Sequence, residues 1–432
     1  MKESKKFNAT QYQLQSFASQ AIFNDTGWLL DAPGEQTPSL IRAIYNEKQL
    51  LLRSPDLGLY KYAGWLPVQR HIEGSSAPIT YQSRELAKHL GLKRLYITFS
   101  GWWPEKEALM ETCSFKETEA YSVCGRLSNS EKRVLVVASA GNTARSFAKV
   151  CSDNYIPLLL CMPEDNIDAL WFSEPLNDCV KLIVSAKGSD YFDAIHLSNL
   201  VCQNEKFFPE GGARNVARRD GMGTTMLSAT TTIGEIPELY FQAIGSGTGA
   251  IAAWEANLRL IGDGRFGNRI MKLMVSQNAP FLPIYNAWKA ATRQLPPLDE
   301  ETARKQVSQI MAKVLSNRKP PYSVAGGLYD ALSNSNGDVI EISNQEANDA
   351  ARLFFNTEGI DIHPAAAVAT ASLIRCVANE TIDKQSLIML NVTGGGEGKF
   401  RQNRKLFFLK PTLVFGFNPE NDEVISKAGS LF

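Results

Sequence analysis

Val134-Leu-Val-Val-Ala-Ser-Ala-Gly-Asn-Thr-Ala144 runs from an apolar, β-branched stretch straight into small residues and glycine. That order is a buried strand ending in a tight turn, followed by a helix. The pattern recurs at Glu238-Leu-Tyr-Phe-Gln-Ala-Ile-Gly-Ser-Gly-Thr-Gly249 and at Leu387-Ile-Met-Leu-Asn-Val-Thr-Gly-Gly-Gly396. Further strands are predicted at 94–100, 157–162, 181–185, 270–277 and 338–343. Helices are predicted at 83–90, 142–152, 190–203, 221–233, from the 245–249 turn to 260, and at 300–316, 347–357 and 364–379. Strands without polar alternation, separated by helices, make parallel sheets covered on both faces. The fold class is therefore α/β, mostly parallel and doubly wound, in two lobes. The first 75 residues carry only short apolar pieces and read as an irregular extension packed on the outside.

The chain has 432 residues, 44% of them hydrophobic, with 45 basic side chains balancing 45 acidic ones. This length is enough for two or three cores. Zero formal net charge gives no electrostatic footprint for nucleic acid and points to small-molecule partners. No apolar run reaches the roughly 18 residues of a membrane span. Met1-Lys-Glu-Ser-Lys-Lys6 is charged and lacks a signal peptide's apolar stretch. Seven cysteines without a Cys-x-x-Cys pair fit free thiols in a reducing cytoplasm. The four histidines have no zinc spacing, and His196 reads as a helix-packing residue. No Gly-x-Ser-x-Gly elbow is present.

Three glycine turns and one lysine carry the chemistry. Gly245-Ser-Gly-Thr-Gly-Ala250 fits a dinucleotide fingerprint in form, but the next strand ends Val275-Ser-Gln277, without the acidic residue that would hold a ribose. Gly245, Ser246, Gly247, Thr248 and Gly249 suit a cup for one phosphate better; a purely structural turn is the other reading. Ser139-Ala-Gly-Asn-Thr143 lies where open α/β sheets bind ligands, and small residues there leave backbone N–H groups for a carboxylate. Asn142 and Thr143 would otherwise serve as a helix cap. Thr393 is either a strand-end residue or a hydroxyl facing a ligand ring. Lys116, in Thr112-Cys-Ser-Phe-Lys116, gains a nucleophilic amine if burial lowers its pKa. One lysine with three such turns is a set able to hold pyridoxal phosphate.

From about residue 75 to 400 these motifs, with Ala77-Pro-Ile-Thr-Tyr81, Arg219-Asp-Gly-Met-Gly-Thr224 and Glu358-Gly-Ile-Asp-Ile-His-Pro364, resemble the fold-type II pyridoxal-phosphate enzymes in their threonine synthase-like branch. The resemblance implies a tryptophan synthase β-like architecture. It implies an N-terminal extension (1–75), a large cofactor domain (76–130 and 235–432), a small substrate-side domain (131–234) and a homodimer. It makes Lys116 the Schiff-base lysine and pyridoxal 5′-phosphate the cofactor. Asn142 would meet the ring hydroxyl, 245–249 the phosphate and Thr393 the ring nitrogen. Ser139, Ala140, Gly141 and Thr143 would hold the substrate carboxylate. Arg145, Arg214, Arg218 and Arg219 are the cations near these motifs, with Arg145 taken as the substrate-binding one.

Threonine synthases usually continue the lysine motif with Asp-Arg-Gly; this chain continues Glu117-Thr-Glu-Ala-Tyr121. Trp102-Trp-Pro-Glu-Lys106 and Cys113–Ala120 look more like the archaeal cysteate-forming members of the branch. That implies β-replacement of O-phospho-L-serine by sulfite, giving L-cysteate and phosphate for coenzyme M biosynthesis. The alternatives are a threonine synthase or another β/γ-replacement enzyme on a phosphorylated amino acid. A non-enzymatic amino-acid-binding relative is disfavoured by the intact Lys116.

Overall fold

A computed structural model describes residues 8–417 and 419–432; the charged Met1–Lys6 stretch lies outside the described residues. Among them, two parallel sheets dominate. The larger has six strands, in the order Asp338–Ile342, Lys272–Asn278, Leu239–Ala243, Leu387–Val392, Arg94–Phe99 and Ile79–Gln82, with only the last antiparallel. The smaller has five, all parallel: Phe207–Pro209, Val134–Ala138, Leu158–Pro163, Val180–Ser185 and Leu413–Phe415. The chain thus returns to the smaller sheet at its C-terminal end. We propose that the two sheets mark two domains, with Leu413–Phe415 crossing from the 235–432 segment to the smaller one.

The central strands are apolar because both faces are covered. Every residue of Leu158–Pro163 and of Leu387–Val392 is buried. The alanine-rich helix Pro364–Ala378 covers the larger sheet, and Tyr191–Val201 the smaller. The predicted strands and most predicted helices are found within a few residues. The helix expected over 300–316 stops at Gln309, because Ile310 turns to extended backbone. His196 lies on Tyr191–Val201 but on its exposed side, so it does not pack as expected.

Two features depart from the sequence reading. Residues 8–75 are not an irregular outer layer: Tyr12–Ser16, Ile22–Phe23 and Ile41–Tyr45 form an antiparallel sheet. Leu14, Ile41, Leu59, Tyr60 and Ala63 from this region have no exposed surface and belong to the main core. Gln13 and Gln15 interleave with Leu14 in the first strand, which hid its buried side. The second is a helix, Lys116–Arg126, buried from Glu117 onward. It packs on Val216–Ile233 so closely that a Cβ on Gly221 would sit 2.5 Å from Thr118 O. The backbones of these two helices are therefore fixed against each other. Among the described residues, no helix is long and apolar enough to cross a membrane.

Candidate functional site

The glycine turns of both sheets open into one cleft of about 630 Å³. Gly245–Gly249 and Thr393 follow adjacent strands of the larger sheet, and Ser139–Thr143 follows a strand of the smaller one. Lys116 is brought there by a short antiparallel bridge. Phe115 N–H donates to Thr393 O at 2.9 Å, and Gly395 N–H donates to Cys113 O at 3.0 Å, flanking the Ser114–Gly394 pair. The lysine loop is thus stitched onto the glycine turn that carries Thr393.

Lys116 Nζ lies 3.0 Å from Glu119 Oε2, one helical turn along. Burial pushes its amine below the usual lysine range, against the pull of Glu119. Arg218 stands behind, bonding Glu210 through Nε at 2.8 Å and Nη2 at 2.5 Å, with Nη1 3.5 Å from Glu119 Oε1. Burial works against the Arg218 charge, but Glu119 and Glu210 outweigh it and hold the guanidinium's pKa up.

The turn 245–249 has the form of an anion cup. Gly247 has φ +78°, and a Cβ there would meet Leu328 at 2.6 Å, so only glycine closes the turn. Ser246 Oγ and Thr248 Oγ1 lie 2.8 Å apart at the start of the 16-residue helix Thr248–Asp263. Thr248 N–H reaches Ser246 Oγ at 3.3 Å and Ala250 N–H the carbonyl of the capping Gly247 at 3.0 Å, contacts made by the turn itself.

On the opposite wall, Ser139 Oγ accepts from Gly141 N–H at 3.1 Å and Ala144 N–H at 3.0 Å, shaping the loop. Asn142 is the first helical residue rather than a cap. Its Oδ1 accepts from Arg145 Nη2 at 2.9 Å. Because arginine only donates, this contact fixes the amide so that its NH₂ is the free end.

Of the residues predicted from sequence, Lys116, Ser139, Ala140, Gly141, Asn142, Thr143, Gly245, Ser246, Gly247, Thr248, Gly249 and Thr393 all line the cleft. Arg145 does not. It is buried behind Asn142, donating to Thr112 O and Ala169 O at 2.9 Å and stacking on Trp171. Arg219 is also withdrawn, fully buried on Glu255. Arg214 and Arg218 line the cleft.

Sequence reasoning missed Glu119, Glu210 and Tyr191, the basic pair Arg318 and Lys319, and Asp31 and Pro38–Leu40 from the N-terminal segment, all cleft-lining except Glu119. His363 was quoted within a motif but given no role; it lines the cleft with Nε2 3.2 Å from Glu397 Oε2. Glu119 had a signal, the Lys-x-x-Glu spacing, legible only once a helix is assigned there. Arg318 and Lys319 sit in an irregular loop without periodicity.

A buried amine, a cup of small residues at a helix N-terminus, an oriented amide donor and a hydroxyl-bearing turn, all around one cleft, fit pyridoxal phosphate. Comparison with known proteins agrees. The family model for "Pyridoxal-phosphate dependent enzyme" matches residues 80–394. The chain is 47% identical over 387 residues to the cysteate synthase of Methanosarcina acetivorans, covering 89% of this chain and 92% of that one. It is 48% identical to those of Methanosarcina mazei (87% and 90% covered) and Methanocella paludicola (89% and 89%). Maize serine racemase shares the fold, with a TM-score of 0.56 at 16% identity over 75% of this chain and 90% of that one. So does threonine deaminase isoform 2 of Solanum lycopersicum, with a TM-score of 0.53 at 16% identity over 76% and 83%. The chain belongs to the pyridoxal-phosphate-dependent enzymes of fold type II, in the group that contains the cysteate synthases.

Proposed function

We propose that this protein converts O-phospho-L-serine and sulfite into L-cysteate and phosphate by β-replacement. The observation that carries the reading is the cleft around Lys116, in a chain that matches cysteate synthases over nearly their whole length. Substrate and nucleophile are both anions. Lys116, Arg214, Arg218, Arg318 and Lys319 are the cations at the cleft; Lys116 is paired with Glu119 and the arginines with Asp31, Glu210 and Asp190, so an entering anion would share these pairs. A small-molecule reaction in the cytoplasm, within coenzyme M biosynthesis and on a homodimer, completes the reading; seven free cysteines suit a reducing compartment.

Bound pyridoxal phosphate supplies a carbonyl that condenses with amines and a ring that takes up the electron pair left at Cα. The protein's own groups do the rest. Lys116 holds the cofactor and, once displaced, takes the Cα proton on Nζ. The Cβ–O bond to phosphate breaks, a bond from sulfite sulfur to Cβ forms, and Lys116 returns the proton to Cα. Gly245–Gly249 would cup the cofactor phosphate, and Asn142, its amide fixed by Arg145, would meet the ring hydroxyl. Thr393 would meet the ring nitrogen with a hydroxyl rather than a carboxylate. A hydroxyl there would not force a proton onto the ring nitrogen, which would favour prompt loss of the β-substituent. The loop 139–143 holds the substrate carboxylate.

The test is product analysis by mass spectrometry from O-phospho-L-serine, with and without sulfite. Cysteate formed only with sulfite supports the reading. Pyruvate with phosphate, or threonine from O-phosphohomoserine instead, overturns it.

A further inference from the structure

Glu119 is a fully buried carboxylate with no assigned part in the reaction. Burying such a group is costly unless it is paired, and an apolar side chain would fill the same space. Its two oxygens face functional cations: Oε2 is 3.0 Å from Lys116 Nζ, and Oε1 is 3.5 Å from Arg218 Nη1. Arg218 in turn bonds Glu210. Two cations and two carboxylates thus alternate in a line, Lys116–Glu119–Arg218–Glu210, with no formal net charge. The spacing between Lys116 and Glu119 is set by one helical turn, on a helix locked against Val216–Ile233 at Gly221.

The groups around Nζ come from several elements. Glu119 is on its own helix and Arg218 on Val216–Ile233; Glu210 follows the strand Phe207–Pro209, and Tyr191, which acts on Arg218, begins the helix that covers the smaller sheet. Glu119 is the group at hydrogen-bond distance. When Lys116 is bonded to the cofactor it ceases to be an ammonium, and Arg218 keeps Glu119 from being left unpaired. When Lys116 is displaced, the same carboxylate is in place to receive it.

We propose that Glu119, backed by Arg218, is a positioning residue that receives the Lys116 amine whenever it is free of the cofactor and stabilises the ammonium once Nζ has taken up a proton. Its use during turnover, keeping the substrate-derived proton on Nζ until return, rests on the β-replacement reading; the pairing itself does not.

The test uses cofactor-free protein and no substrate. Acylation of Lys116 is followed by peptide mass spectrometry across pH in wild type, Glu119→Gln, Glu119→Asp and Arg218→Gln, with folding checked by circular dichroism. An opposite charge within about 4 Å favours the ammonium, so Glu119→Gln lowers the midpoint of reactivity by about one to three pH units. Glu119→Asp keeps most of the wild-type midpoint. Arg218→Gln, which frees two carboxylates toward Lys116, moves it upward; this opposite shift keeps the proposal testable if Glu119→Gln does not fold. Unmoved midpoints in folded Glu119→Gln, or shifts of the same sign in both variants, would overturn the proposal. Failure to form cysteate would remove the substrate assignment and leave these titrations unaffected.

Discussion

Arg218 and Arg219 are consecutive on one helix and both buried, yet they serve different parts of the molecule. Arg218 points to the cleft, between Glu119 and Glu210. Arg219, about 100° further round the helix, points into the core. There it meets Glu255 at 3.0 Å and donates to the carbonyls of Ala213 and Ile41, tying in the N-terminal sheet. The neighbouring helix repeats the division. Glu119 faces Lys116, whereas Glu117 is turned to Thr112, accepting from its N–H at 3.0 Å and its hydroxyl at 2.9 Å. A charged residue near a binding motif in sequence is thus available to a ligand only if its helical phase points it there.

The largest effect belongs to the cleft side. Lys116→Ala should abolish the cofactor's visible absorbance and lower product formation by at least about 10³-fold. Retained colour and rate would place the chemistry elsewhere. Next is the core side. Arg219→Met leaves Glu255 buried and unpaired and should cost about 3–5 kcal/mol in urea denaturation, with the Lys116 titration unchanged. A mild loss of stability together with a shifted titration would collapse the distinction between the two arginines.

Glu117 sharpens the same contrast through pH. Burial raises its pKa from 4.5 to about 7, despite the bonds from Thr112. Between those values the folded protein binds a proton that the unfolded chain has lost, so stability falls as pH rises through this window. A shift of that size corresponds to roughly 3 kcal/mol at most. Glu117→Gln should flatten the decline, read as melting temperature at pH 5 and pH 8; an equal decline in both proteins would assign it to other groups. The smallest effect is expected at Asn142. Asn142→Ala removes one hydrogen bond and should weaken cofactor binding about tenfold, measured by absorbance titration. An unchanged affinity would remove the amide from the cofactor site.

The strands and glycine turns were legible because parallel strands buried on both sides leave unbroken apolar runs, and the turns at their ends need small residues. Those turns and Lys116 gave the part of the cleft wall at the strand ends, but not the part supplied by the N-terminal segment, Glu210, Tyr191 and the 318–319 loop. The N-terminal sheet was hidden because its longer strands are only five residues each and interleave glutamine or arginine with apolar residues. The helix after Lys116 was hidden because buried Glu117, Thr118 and Glu119 look like a solvated stretch. Arg145 carried no sign that its donors are spent on carbonyls and on Asn142. These are tertiary facts; local sequence fixes neither partner nor direction.

The most direct test is borohydride reduction of the protein incubated with pyridoxal phosphate, followed by peptide mass spectrometry. The account predicts one phosphopyridoxyl adduct, on Lys116, lost in Lys116→Ala. An adduct on a different lysine, or none in a folded protein, would contradict the assignment of this cleft.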